Sequence, residues 1–330
     1  MKFVDLFCGG GLGGRGAVRA GATPILAVDA WNLATETYKA NFPDAEVICS
    51  PIEELNPSKL AKRFKPDILL TSPECTSHSL ARGARPVLEK SRETAIGIIP
   101  WLKAMNPNWL IVENVKRMKN WSRHNELVKT IEVQKYTVSD LYLNAADFGA
   151  PQSRKRMFLV CDKYGSTITE EDLLTGNRPF KSARDILDKK GSYKSTPLDK
   201  KGRAQPTLER AERAIAALGK NVPFLIVYYS SDYAGGWQSL DVPLRTITTV
   251  DRFGLVTWSK GKPYLRMLQP TELIKAMGAG SSARHKAHTL PIGNRRDKVK
   301  LCGNGVCTPV MEAIFKKIKQ IEKSRKIKAA

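Results

Sequence analysis

Residues 3–21, FVDLFCGGGLGGRGAVRAG, decide how the rest of the chain is read. The apolar run Phe3 to Phe7 predicts a strand, and a glycine-rich turn leads from it into a short amphipathic segment closed by Gly21. Glycines in such a turn let the backbone bend tightly and let a ligand approach the start of the following helix. The pattern is the first unit of a nucleotide-binding α/β sheet, and nicotinamide, flavin and S-adenosylmethionine sites all share it. The next strand, Pro24 to Val28, ends at Asp29, where an acid commonly holds a ribose hydroxyl.

Further units continue in the same rhythm. A short apolar Val47-Ile48 precedes a helix over Pro57 to Phe64, and a strand over Asp67 to Thr71 runs into LLTSPECTSHS at 69–79. Pro73 breaks that run and sets Cys75 on a loop at the strand end. Many enzymes present a nucleophile this way, although an unpaired cysteine is more often a small buried apolar residue. The strand Trp109 to Val112 is followed by Glu113-Asn114-Val115. Alternating short strands and helices predict a doubly wound, mostly parallel α/β sheet, whose ligands bind at the carboxyl ends of the strands. The glycine loop, Asp29, Cys75 and Glu113 converge on that edge. Glu113 alone reads equally well as a helix cap; the coincidence of four groups does not. Beyond it, Tyr136 to Leu143 and Met157 to Val160 read as strands flanking NAADFGAPQSRKR. Arg154 and Arg156 share a face of an extended segment, and a guanidinium forks onto a phosphate or a carboxylate.

Composition narrows the partner. The 330 residues are 42% hydrophobic and 26% charged, with 54 basic against 32 acidic side chains and a net charge of +22. That excess points to a polyanion, nucleic acid first, over a surface kept merely soluble. Six cysteines without a close CxxC pair, with four histidines, indicate neither a zinc site nor a disulfide framework. No run of about 18 apolar residues is present and MKFVDLF reads as a strand, so a cytoplasmic protein with no membrane segment is expected.

Six segments in order carry a resemblance: DLFCGGG at 5–11, SPEC at 72–75, ENV at 113–115, QSRKR at 152–156, RTITT at 245–249 and GNGV at 303–306. Together they resemble the DNA (cytosine-5)-methyltransferases. The resemblance covers most of the chain outside 165–240 and implies a Rossmann-like methyltransferase fold, S-adenosyl-L-methionine as cofactor and a flipped-out cytosine of double-stranded DNA as substrate. It implies that Cys75 is the nucleophile, that Glu113 donates a proton to ring nitrogen 3, and that Arg154 and Arg156 orient the base and its backbone. Phe7, Gly9, Gly11, Asp29, Trp31 and Asn304 are then expected around the cofactor. Gln152, Arg245, Thr246, Tyr233 and Trp237 are expected against DNA. The last helix, roughly Cys307 to Glu322, should pack beside the start of the chain, giving a catalytic domain of 1–164 plus 256–330.

Two positions depart from the family pattern. Glu74 stands where a proline usually precedes the cysteine, and an adjacent carboxylate raises a thiol's pKa unless it pairs elsewhere, here with Arg82 or Arg85. Ser50-Pro51 stands where an acid often meets the adenine amino group, which leaves adenine to the backbone or to Trp31. Residues 165–255 are the expected target-recognition domain, a small loop-rich unit with basic residues and interleaved aromatics. Phe224 to Tyr229 reads within it as a core strand. A nicotinamide oxidoreductase would share the glycine loop but gives Cys75 and +22 no role. An RNA-directed relative and a silent DNA-binding relative stay open, as does a partner restriction endonuclease; a monomer is expected.

Overall fold

The computed structural model describes every residue except 74–94, 116–117, 119–122, 177–178, 230–232 and 330, and only the backbone of 233 and 329. Cys75, Glu74, Arg82 and Arg85 lie outside the described residues, as does the side chain of Tyr233.

A seven-stranded sheet carries the chain. Its strands are β1 (Lys2–Leu6), β2 (Thr23–Asp29), β3 (Glu46–Cys49), β4 (Ile68–Thr71), β5 (Trp109–Val115), β6 (Thr137–Asn144) and β7 (Lys155–Asp162). They lie in the order β3-β2-β1-β4-β5-β7-β6. All neighbours pair in parallel except β7, which is antiparallel to both β5 and β6. The order reverses between β1 and β4, so the loops after those two strands flank the switch point where such sheets bind ligands. Those loops begin at Phe7 and at Ser72.

Both faces of the sheet are apolar, as a covered parallel sheet requires. Phe3, Ile68, Leu70, Trp109, Ile111, Phe158 and Val160 share one buried cluster with the helix Thr308–Ala329 and with α1 (Leu12–Arg19). There Phe3 and Phe315 meet edge to face at 5.6 Å. Each such fully buried ring stabilises the fold by about 1.5–3 kcal/mol relative to exposure. Thr308 donates its hydroxyl to the Leu12 carbonyl at 2.9 Å, joining the two ends of the sequence. The opposite face, with Val4, Leu6, Leu26, Val28, Leu69, Leu110 and Val112, clusters with Trp101, Leu102 and Met105 of the helix Ile98–Met105.

Two strands are longer than the sequence predicts. β5 continues through Glu113-Asn114-Val115, and β7 begins at Lys155, because Glu113 pairs with Phe158 and Val115 with Arg156 along an antiparallel ladder. Glu113 and Arg156 are therefore paired strand residues on one face.

A second sheet, antiparallel, has the order β10-β9-β11-β12-β8. Its members are β8 (Thr196–Pro197), β9 (Phe224–Val227), β10 (Trp237–Ser239), β11 (Phe253–Ser259) and β12 (Lys262–Met267). Phe224, Ile226, Val256 and Leu265 bury one face together with Ala211 and Ala214 of the helix Gln205–Leu218, while Leu225, Val227, Phe253 and Leu255 join the main cluster. A boundary at 255 cuts through β11, and the strands of this sheet run on to Met267. The segment is thus built on a sheet whose central strands β9 and β11 are buried on both faces.

Candidate active site

The glycine loop is shaped by its own backbone. Phe7 takes φ +56°, Gly9 φ +50° and Gly11 φ +86°. Cys8 N–H donates to the Val28 carbonyl at 3.1 Å, which lays the loop across the end of β2. Asp29 then fixes it, since its Oδ2 accepts from Gly9 N–H at 2.8 Å and its Oδ1 from Trp31 N–H at 2.9 Å. Burial pushes the Asp29 carboxyl above its ordinary value, opposed by those N–H donors and by the charge of Lys300. A Cβ on Gly9 would meet nothing within 4 Å, so an open face lies above it. Gly11 differs: a Cβ there would stand 2.6 Å from Phe42, so its glycine serves close packing against the end of α2 (Asn32–Asn41). Beneath the loop Asp5 is 2% exposed, and its carboxyl is pushed up to about 8, chiefly by burial.

The neighbouring edge holds the acid. Glu113 is 7% exposed, with Oε1 3.3 Å from Arg156 Nε. Burial raises its carboxyl from the ordinary value, and Arg156 and then Arg154 pull it back. The next residue, Asn114, donates its Nδ2 to the Pro73 carbonyl at 3.2 Å and accepts Val115 N–H at 2.8 Å. Ser72 N–H reaches the Leu6 carbonyl at 3.2 Å. The strand bearing Glu113 and the entry to the SPEC loop are thereby fastened together. The sequence alone assigns Asn114 no role; an amide side chain beside a strand-end acid is the signal that marks it.

Two of the residues expected at ligands make bonds within the protein. Arg154 is 3% exposed, and its guanidinium donates to the carbonyls of Ile247 at 2.9 Å, Gly303 at 2.8 Å and Gly305 at 3.0 Å. Arg154 thereby clamps RTITT and GNGV to the start of β7. Gln152 is fully buried, accepting Ile247 N–H at 2.9 Å and donating to the Ala276 carbonyl at 3.3 Å. Its amide thereby holds RTITT in place. Thr246 gives its hydroxyl to the Ser153 carbonyl at 2.9 Å, and Arg245 N–H bonds Gln238 Oε1 at 3.1 Å. Trp237 is half-buried against the small-sheet core. Phe7 and Trp31 are half-buried at the cofactor edge, and Asn304 is exposed at the end of the helix Arg295–Asn304. One turn before Asn304, Lys300 holds its ammonium 4.2 Å from the centre of the Trp31 ring, at a position that no sequence motif marks.

The model of the family described as C-5 cytosine-specific DNA methylase matches residues 1–320. The chain belongs to that family. This methylase is 30% identical over 260 residues to the type II methyltransferase M.HgiDI of Herpetosiphon aurantiacus, covering 74% of the chain and 80% of the relative. It is 27% identical over 205 residues, 57% of its length and 51% of the relative's, to the human tRNA (cytosine(38)-C(5))-methyltransferase. In fold it is similar to the DNMT2 of Spodoptera frugiperda, with TM-score 0.71 at 17% identity over 96% of this chain and 99% of that one. A putative prophage-encoded DNA modification methyltransferase of E. coli gives TM-score 0.70 at 16% identity over 98% and 99%. The Rossmann-like methyltransferase fold expected from the sequence is what the methylase has. Among its described residues no helix is long and apolar enough to cross a membrane, and no group of three His, Cys, Asp or Glu side chains is arranged to hold a metal.

The methylase's residues fit S-adenosylmethionine. The open face above Gly9, the half-buried rings of Phe7 and Trp31 and the acid Asp29 line one edge at the switch point. Asp29 lies where the sequence puts it, yet each of its oxygens already accepts a main-chain N–H.

Proposed function

We propose that the methylase transfers a methyl group from S-adenosylmethionine to carbon 5 of a cytosine flipped out of double-stranded DNA. The observation that carries this reading is Glu113, buried beside Arg156 and one residue from the amide that holds the Pro73 carbonyl, at the entry to the segment bearing Cys75. In this reading the Cys75 thiolate adds to carbon 6, and electron density moves toward nitrogen 3. Glu113, its carboxyl raised by burial, is the group placed to donate a proton there. Arg156 holds Glu113 in place and balances the site's charge as the base is taken up. S-adenosylmethionine, when bound, supplies the electrophilic methyl. Phe7 and Trp31 meet its adenine, Gly9 and Gly11 its methionine end and Asp29 its ribose, and Asn304 lies at the same rim. Ordered water takes the carbon-5 hydrogen, and Cys75 is then released.

Residues 165–255 serve in this account as the target-recognition unit, with exposed cations on phosphate and Trp237 and Tyr233 among its DNA-contacting residues. Flipping a base costs a few kcal/mol, which phosphate contacts must offset. The type II names of its relatives make a restriction endonuclease the partner to seek, and the enzyme is expected to act as a monomer in the cytoplasm. A second reading, methylation of a transfer RNA cytosine, draws on the human tRNA-directed relative. Labelled methyl transfer to duplex DNA and to transfer RNA in parallel tests both. Label in DNA is expected, whereas label in transfer RNA alone would replace the first reading by the second.

A further inference from the structure

The cofactor edge has a polar group that the family motifs do not name. Asp29, the residue whose position suits a ribose, has both oxygens engaged at 2.8 and 2.9 Å by the N–H groups of Gly9 and Trp31. Those bonds shape the loop and leave each oxygen one further acceptor position.

Lys300 faces the same place from the other end of the sequence. Its helix, Arg295–Asn304, begins with an Asn294 capping box. The helix ends at Gly303 and Gly305, whose carbonyls Arg154 holds at 2.8 and 3.0 Å. Val299, Leu301 and Cys302 are buried, so the root of Lys300 is rigid while its side chain is exposed. Lys300 and Asn304 are four residues apart, hence on one helix face. The ammonium stands 4.2 Å from the Trp31 ring centroid, a cation–π distance that keeps the flexible side chain over the ring. Its charge also reaches Asp29, where it opposes the rise caused by burial. A rigidly rooted donor therefore stands over Trp31, on the helix face it shares with Asn304, with its charge felt at Asp29.

We infer that Lys300 is a cofactor-contacting residue, its ammonium donating to a ribose hydroxyl oxygen of S-adenosylmethionine while Asp29 holds the loop and Trp31 holds the lysine. A nucleoside hydroxyl is the matching class of group, since it has acceptor lone pairs and an ammonium has only donors. The inference rests on the cofactor reading above.

Calorimetric titration without DNA tests it, using S-adenosylhomocysteine and its 2′-deoxy and 3′-deoxy ribose analogues. Lys300→Ala is expected to bind S-adenosylhomocysteine roughly ten-fold more weakly than the wild type, the scale of one hydrogen bond from a charged donor. One deoxy analogue should lose a similar factor against the wild type and nothing further against Lys300→Ala, and Lys300→Arg should recover part of the loss. The residue is exposed, so an unchanged melting temperature will show that the variant is folded. Binding by Lys300→Ala within two-fold of wild type, or equal deoxy penalties in both proteins, would overturn the role of Lys300 alone. A wild-type protein that binds none of the three would overturn the cofactor reading as well.

Discussion

Glu113 is where burial becomes chemistry. The carboxyl is raised by burial and partly restrained by Arg156 at 3.3 Å. Glu113→Gln should lower kcat by roughly 10²-fold or more, the usual scale for removing a general acid, while S-adenosylhomocysteine binding stays. Arg156→Met removes the charge that pulls the carboxyl down. The alkaline limb of the pH–rate profile should therefore move to higher pH, and a limb that stays or falls would exclude Glu113 as its origin. Asp5 makes a separate prediction for stability. Its folded value of about 8 lies above the ordinary 3.8, so its contribution is complete below the lower value and is lost as pH rises through the higher one. Asp5→Asn should accordingly gain melting temperature relative to wild type between about pH 6 and pH 9. His288 is common to both proteins and cancels from that comparison. Its folded value of about 3 against 6.5 makes it cost stability only as pH falls below the ordinary value.

Arg154 and Gln152 carry the consequences at the scale of elements. Three separated segments, QSRKR, RTITT and GNGV, meet because one guanidinium bonds Ile247, Gly303 and Gly305 and one amide bonds Ile247 and Ala276. Arg154→Met leaves three carbonyls without that donor, each worth about 1–3 kcal/mol when buried. A loss of about 3 kcal/mol or more in urea unfolding is expected, with faster hydrogen exchange in the helix Arg295–Asn304. A surface arginine reading would instead predict a change of about 0.5 kcal/mol or less. The sequence could name these residues but not their direction. A polar side chain on a short motif reads as a ligand contact, because the groups facing it come from segments 93 and 149 residues away. The strand end expected at Val112 falls short for the same reason, since β5 is lengthened by its pairing with β7 and not by its own apolar run.

For the whole molecule, the doubly wound sheet was legible from Phe3 to Gly21 and from the repeated strand–helix alternation, because those patterns are local. The closure of the ends, with Thr308 on the Leu12 carbonyl, was legible only through the motif resemblance. The small sheet was legible as the single strand beginning at Phe224, since β10 and β8 are short and gain stability from pairing. The net charge of +22 gives a prediction at this scale: affinity for duplex DNA should fall steeply between about 50 and 200 mM salt, by orders of magnitude if several phosphates are neutralised. A flat response would argue against a phosphate-dominated interface. The central claim is most directly tested by bisulfite sequencing of DNA from cells expressing the protein, beside a Cys75→Ser control. The account predicts 5-methylcytosine at a defined sequence context that vanishes in the control. Unmethylated DNA with the intact protein, or methylation that survives Cys75→Ser, would contradict it.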